Sequence, residues 1–507
     1  MTLTTRITTA GAAAPEGRGT AVALSSDRVR AAANLAFWIL LGVGFALRVY
    51  FVFSKGFTMN SDHAVVYLMA RNVAEGEFPA FFWGQSYGGS VLPLTAGIFM
   101  MIFGPSIQLL AITSALWWAG AAVVLRFVTA ASIGPVAGVT AGLLFWFPGL
   151  VILSVSVVDP GFYGPSLLFG LAVVLVAVRR PTARFRVVDW VVAGIFAGLS
   201  LWASPMAIAI AAPAVVFMVW RDRRWRFWML GVSAALLAAT PWILETLRSS
   251  FSSVKPLGGT SRFHPESLAS IFTAMFPAAF PGSSNELVRF AVTVLALALI
   301  VALIHRSVIT RNSAAIVVTV GMVFVIGVLI VGSGVRLAED SVRYSAFLIP
   351  GLSFAVAWLL VERVRISAVA AGAAVAVTMV TVLVVGNGLA PAAQTPFSTE
   401  LTAVGEYLES RGINAVYGSY WISYSLSAVT DERVTVASLG PRRYERYEAV
   451  AAEREPMSVV VFVSADNDTV LTNDSSLPSH DRAEFGGFAV LTFDEWFDIY
   501  QLELSLN

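Results

Sequence analysis

Twelve apolar stretches follow one another along the chain, at about 34–53, 89–103, 107–128, 136–157, 164–178, 187–203, 206–220, 228–244, 287–304, 313–332, 344–361 and 367–388, with short polar connections between them. A helix needs roughly 20 apolar residues to cross about 30 Å of hydrocarbon, so the pattern predicts a polytopic α-helical membrane protein. Residues 1–33 are polar, rich in Ala, Thr and Gly, and carry Arg6, Arg18, Arg28 and Arg30. They read as a disordered cytoplasmic tail, without the early apolar stretch and cleavage site of a removable leader. After residue 388 the pattern changes. AVYG, RVTVASL and SVVVFVSA read as strands, and SYWISYSLSAV and RRYERYEAVAAE between them as helices. That alternation predicts a small α/β domain over 389–507.

Charge sets the orientation, because Arg and Lys favour the cytoplasmic side. The basic connections Arg179 to Arg186, Arg221 to Arg226, His305 to Arg311, and Arg363 with Arg365 all fall inside if the spans alternate from 164 onward. The C-terminal domain then lies outside. An inside N-terminus with twelve crossings would place it inside, so one stretch does not cross. The weakest is 89–103, which holds Pro93 and ends at Gly104-Pro105. It is predicted to lie along the outer interface, leaving about 11 spans. Two long outer loops result, 54–106 and 245–286.

Composition narrows the class. Hydrophobic residues make up 57% of the 507 and charged residues only 13%, against about 25% charged in soluble domains; a soluble multidomain enzyme is excluded. A net charge of +1 gives no overall basic excess of the kind that points to a nucleic-acid partner. There is no cysteine, hence no thiol nucleophile, disulfide or thiolate metal site. Of the 32 acidic residues, 18 lie beyond residue 390, so acids inside the membrane portion stand out.

The densest polar segment beside the membrane is 58–90, TMNSDHAVVYLMARNVAEGEFPAFFWGQSYGGS. From Asp62 to Ala74 it has a helical pattern, ended by Glu75-Gly76-Glu77 and Pro79. A carboxylate at the membrane edge is costly and usually functional. Asp62 has the chemistry to take a proton from an acceptor hydroxyl or to hold a divalent cation such as Mg, Mn or Ca. It also opens a helix, where Asp is a favoured cap. The stretch from Phe78 to Tyr87 reads either as an interfacial aromatic belt or, given Gly84, Gly88 and Gly89, as a substrate loop whose backbone is closely approached. His63, Gln85 and Tyr87 belong to it or flank it. Asp159, in VVDPGFYGPS, is a second outer carboxylate and equally an ordinary Asp-Pro-Gly turn. Arg343 and Tyr344 open a late span in SVRYSAFLIPG, where an Arg fork grips phosphate or merely snorkels to the interface. Arg336 and Arg248 share that ambiguity. Arg262 and His264, in GGTSRFHPES, read as mobile-loop contacts or as solvated loop. No P-loop, G-x-G-x-x-G, serine elbow or His-pair metal motif is present.

Three features together, SDHA…GEFPAFFWGQSYGGS, the outer Asp159 and VRYSAFLIPG, resemble the GT-C glycosyltransferases. The branch it most resembles is glycosyltransferase family 39, with the protein O-mannosyltransferases and the lipid A aminoarabinose transferases. The resemblance covers most of 34–388 and, more loosely, the C-terminal domain. It implies an enzyme of the cell membrane that transfers a sugar from a polyprenyl-phosphate donor, with inversion, to a glycan, lipid or protein acceptor on the outer face. It further implies Asp62 as general base or metal-associated carboxylate, Asp159 as the second acid, and Arg343 with Tyr344 facing the donor phosphate, with Arg262 as a further donor-phosphate contact. The chain departs from the family at His63, where a second acid is expected, and at Gln85-Ser86-Tyr87, where relatives often carry Lys-Pro or Pro-Pro. Gln85 cannot neutralise a phosphate, so the donor grip has to lean on Arg elsewhere. The competing reading is a lipid or glycolipid flippase, which would want charges within its spans; here they crowd the ends.

Overall fold

A computed structural model of the chain describes residues 17–54, 57–85, 88–179, 185–251, 269–278, 285–331, 339–360, 367, 372–376, 397–453, 456–502 and 504. The first helix, α1, runs Gly17–Val52. Residues 17–33 are therefore helical rather than an unstructured tail, because the Ala-rich composition that reads as tail also favours helix. Next come α2 (Ser61–Ala74), α3 (Val91–Phe103), α4 (Ile107–Ser132), α5 (Pro135–Trp146), α6 (Leu150–Val155), α7 (Tyr163–Val178), α8 (Val187–Ala203), α9 (Pro205–Arg221), α10 (Trp225–Ala238) and α11 (Thr240–Arg248). After them stand α12 (Glu286–Thr310), α13 (Ser313–Val331), a 3-10 segment at Glu339–Phe347 and α14 (Ile349–Leu360).

Four described helical stretches are each long and apolar enough to cross a membrane: Arg30–Val52, Ile107–Ser132, Glu286–Thr310 and Ser313–Ile330. The pair α10 and α11, bent by 60°, makes a fifth. Other predicted spans are shorter or broken. The stretch 136–157 divides into α5 and α6 around Pro148-Gly149, and 344–361 into the 3-10 segment and α14. Arg48 of α1 repairs the first break. Its guanidinium donates to the Trp146 carbonyl at 2.7 Å and to Ser156 Oγ at 2.8 Å, supplying partners to a backbone that lipid would leave unpaired. Of the last predicted span, 367–388, residues 367 and 372–376 are described and helical; the rest lies outside the described residues.

The C-terminal part carries a five-stranded sheet in the order β2-β1-β3-β5-β4. Its strands are β1 (Ala415–Gly418), β2 (Thr435–Ser438), β3 (Met457–Phe462), β4 (His480–Phe485) and β5 (Phe488–Phe493). β1 pairs in parallel with β2 and β3, while β5 is antiparallel to β3 and β4. The helices α15 (Thr399–Ser410), α16 (Tyr420–Val429), α17 (Glu445–Ala452) and α18 (Asp466–Asn473) complete this part. The β4–β5 hairpin, α15 and α18 extend beyond the three strands and two helices of the sequence pattern.

One packing relation positions the site. Residues Ala64 to Ala70 of α2 are all buried, since α3 covers one face and α16 the other; their side chains share a core with Leu92, Ala96, Tyr420, Tyr424 and Leu426. A helix apolar on every side is buried on every side. The first loop and the C-terminal domain therefore stand on the same side of the bundle.

Candidate active site

Asn60, not Asp62, caps α2. The Asn60 side chain accepts from the His63 amide while His63 Nδ1 accepts from the Asn60 amide, closing a capping box. The cap reading of Asp62 is thereby corrected: in the first turn but beyond the cap, its carboxylate is free to turn outward. It accepts from Arg343 Nη1 at 3.0 Å on Oδ2 and from the Tyr420 hydroxyl at 2.5 Å on Oδ1. Three segments meet there: α2, the 3-10 segment before α14, and the first turn of α16.

Electrostatics follow from those contacts. Burial pushes the Asp62 carboxyl up, but the Tyr420 hydrogen bond and the charge and hydrogen bond of Arg343 outweigh it and hold it below the usual range. Burial raises the Tyr420 phenol, and the Asp62 charge adds to that. Burial pushes His63 down to about 4, with Arg343 adding to the effect and Asp62 opposing it, so at neutral pH Asp62 is an anion beside an uncharged imidazole.

Tyr344 lies beside Arg343, whose guanidinium carbon is 5.7 Å from the Tyr344 ring, and packs against Tyr163 with ring centroids 5.9 Å apart. An apolar cleft lined by Leu171, Val174, Val318, Met322 and Phe347 reaches the end of the same 3-10 segment. Asp159 does not join Asp62. Its carboxylate accepts from the backbone N–H groups of Gly161, Tyr163 and Gly164 at 2.9, 3.0 and 2.7 Å. Those contacts fasten the start of α7, so the turn reading describes its geometry; it meets His63 only across a narrow cavity. Within the aromatic loop Phe78 is exposed, but two other rings are not at the surface. Phe82 and Trp83 are buried, and Trp83 stacks on Tyr444 of the C-terminal domain at 3.9 Å and 2°. Gly84 sits at φ +65°, and a Cβ there would come within 2.8 Å of the Arg442 carbonyl and the Arg443 Cα, so the position takes glycine on both counts. Gln85 has its Oε1 buried without a hydrogen-bond partner among the described residues. Arg248 pairs with Glu245 on α11 at 3.8 Å. Tyr87, Arg262, His264 and Arg336 lie outside the described residues.

Sequence reasoning missed Tyr420 and Arg443. Arg443 comes 5.5 Å from the Tyr420 ring. Only the Tyr-Trp pair opening an otherwise Ser/Leu-rich helix marks Tyr420 in the sequence. As for a cation, no group of three His, Asp or Glu side chains gathers among the described residues. The donor set at Asp62, one carboxylate already balanced by a guanidinium, does not fit a divalent ion.

No protein-family model matches the chain, and no curated protein matches it in sequence. Solved structures do. ArnT from Cupriavidus metallidurans, bound to undecaprenyl phosphate, superposes with a TM-score of 0.62 at 14% identity, over 90% of this chain and 98% of that one. The oligosaccharyltransferase of Archaeoglobus fulgidus, in complex with Zn and sulfate, gives 0.50 at 13% identity, over 88% and 72%. The same organism's AglB, with an inhibitory peptide and a dolichol-phosphate, gives 0.50 at 13%, over 93% and 75%. This helical chain with its small C-terminal sheet shares the fold of these solved structures.

Proposed function

We propose that the chain is a membrane glycosyltransferase that moves a pentose or hexose from a polyprenyl-phosphate donor to an acceptor hydroxyl on the outer face of the cytoplasmic membrane, in assembly of envelope glycan or glycoconjugate. The observation that carries the reading is the Asp62 carboxylate held between Arg343 and Tyr420, in a fold whose neighbours bind undecaprenyl phosphate and dolichol-phosphate. In the step, Asp62 takes the acceptor's hydroxyl proton. The freed oxygen pair forms the new bond to the anomeric carbon from the face opposite the phosphate, inverting it. The bond from that carbon to the phosphate oxygen breaks and its electron pair stays on the phosphate. Arg343 stands where that charge develops. A flippase is less well supported, because its transport path would be marked by charges within the spans.

Asp62→Asn tests the reading. Asn60 keeps the helix cap, so the variant folds. In membrane vesicles supplied with undecaprenyl-phosphate pentoses and hexoses labelled in the sugar, turnover is expected to fall roughly 10²–10⁴-fold, the range for losing a general base. Near-wild-type turnover in the folded variant would overturn the assignment of Asp62.

A further inference from the structure

The Asp62 carboxylate stands among two guanidiniums, Arg343 at its own oxygen and Arg443 on the far side of Tyr420. His63 is uncharged at neutral pH, and no carboxylate among the described residues lies within ion-pair distance of Arg443. The Arg443 guanidinium therefore has no direct ion-pair partner among the described residues. Both guanidiniums also keep their Nε buried without a hydrogen-bond partner among the described residues. A buried donor left unmade is costly, and planar N–H forks match phosphate oxygens. An anion with several acceptor oxygens would give both donors a partner.

Backbone packing holds Arg443 at this place. Its amide donates to the Tyr424 hydroxyl at 2.6 Å, and its Cα and Cδ lie against Gly84, one residue before Gln85. The cation that Gln85 cannot provide is thus brought to the first loop by a residue about 360 positions away in the chain.

We propose that Arg443 is the second cation of the donor-phosphate site, with Arg343 the first, so that the C-terminal domain contributes directly to binding the lipid carrier. This rests on the polyprenyl-phosphate reading above. A sugar-phosphate-prenyl diester carries one negative charge and acceptor oxygens for both guanidiniums. The released monoester carries about −1.5 to −2 at neutral pH, which two guanidiniums accommodate and one, shared with Asp62, does not.

The test uses the full chain in nanodiscs and two probes, undecaprenyl phosphate and undecaprenol. The wild type is expected to prefer the phosphate. Arg443→Gln should weaken undecaprenyl phosphate binding about tenfold or more, the range for a hydrogen bond to a charged group, and leave undecaprenol unchanged. Arg443→Lys, which keeps the charge and the backbone contact to Tyr424, should fall between, and Gln85→Lys in the Arg443→Gln background should restore phosphate binding. Arg442→Gln, whose guanidinium sits over Tyr500 at 4.3 Å instead, should bind as wild type. If Arg443→Gln discriminates phosphate from alcohol as well as wild type does, the role of Arg443 is refuted and the donor reading stands. If the wild type itself does not discriminate, both fall.

Discussion

Replacing Tyr420 by Phe removes one oxygen atom and, with it, the 2.5 Å hydrogen bond to Asp62 Oδ1. Tyr420 is 5% exposed and the Asp62 side chain 19%, so water does not readily replace the lost donor. A hydrogen bond to a charged group is worth about 1.5–3 kcal/mol. At 1.4 kcal/mol per factor of ten, the protonation equilibrium of Asp62 moves roughly tenfold to a hundredfold toward the neutral acid. The direction follows from which form is active. Tyr420 and Arg343 hold Asp62 below the ordinary carboxylate range, so the base stays ionised into mildly acidic solution. In Tyr420→Phe it takes a proton at higher pH, and the acidic limb of the kcat/KM profile shifts toward neutrality. On the plateau the carboxylate is the stronger base, so activity there need not fall. The same linkage holds for stability: the contribution of Asp62 is present above the unfolded carboxylate range, is lost as pH falls through its folded value, and is smaller in the Phe variant. The assay is sugar transfer in vesicles over a pH series, with Tyr424→Phe as the control. The Tyr424 hydroxyl accepts from the Arg443 amide and has no bond to Asp62. An acidic limb that stays in place in Tyr420→Phe, or that moves equally in Tyr424→Phe, would refute the reasoning.

Two further predictions concern the docking of the C-terminal domain. Gly84→Ala places a Cβ within 2.8 Å of backbone atoms of Arg442 and Arg443 at φ +65°; the left-handed backbone alone costs about 1–2 kcal/mol, so a thermal melt should show a loss of at least that size, and an unchanged melt would mean that the loop does not press on the domain. Because α2 packs against α16, single cysteines at Glu75 and Arg411, both exposed, should label from the outer side of intact cells. Arg223→Cys, between α9 and α10, should label only after permeabilisation; the opposite pattern would overturn the orientation.

The apolar pattern places α1, α3, α4, α7, α8, α9, α12 and α13 to within a few residues, apart from the early start of α1, because each is a run that only a helix can bury in lipid. It does not show where helices break. Pro148-Gly149 separates α5 from α6, and Pro241 stands at the bend between α10 and α11, but a proline in an apolar run is compatible with a kinked span as well as with two helices. The site was half legible. Asp62 and Arg343 stand out because charges are rare where they occur, and the structure joins them at 3.0 Å. Asp159 stands out for the same reason, yet its oxygens are engaged by backbone N–H groups. Rarity of a charge marks a residue that must be satisfied, and a helix start satisfies it as well as a substrate does.

Tyr420 and Arg443 were hidden for a different reason. Their neighbours in sequence belong to an ordinary α/β pattern, and nothing local ties them to a helix 358 residues earlier. Yet the covering of α2 was written into α2 itself. In AVVYLMA no position between Ala64 and Ala70 is polar except for the Tyr67 hydroxyl, and that hydroxyl donates to Asp431 at 2.9 Å. An interfacial helix with lipid on one face needs a polar face for water. This one has none, so a second element had to cover it. Among the described residues the C-terminal domain does so. Ser61 then donates to the Trp421 carbonyl at 2.8 Å, and Asn72 to Glu432 at 3.2 Å, fixing α16 along the length of α2. Once that register is set, Tyr420 lies over the turn that carries Asp62. The hydrophobic surface that docks the domain and the hydroxyl that tunes the carboxylate are consequences of one packing event. Losing the docking would leave Asp62 with Arg343 as its sole partner, and α2 with an apolar face in water.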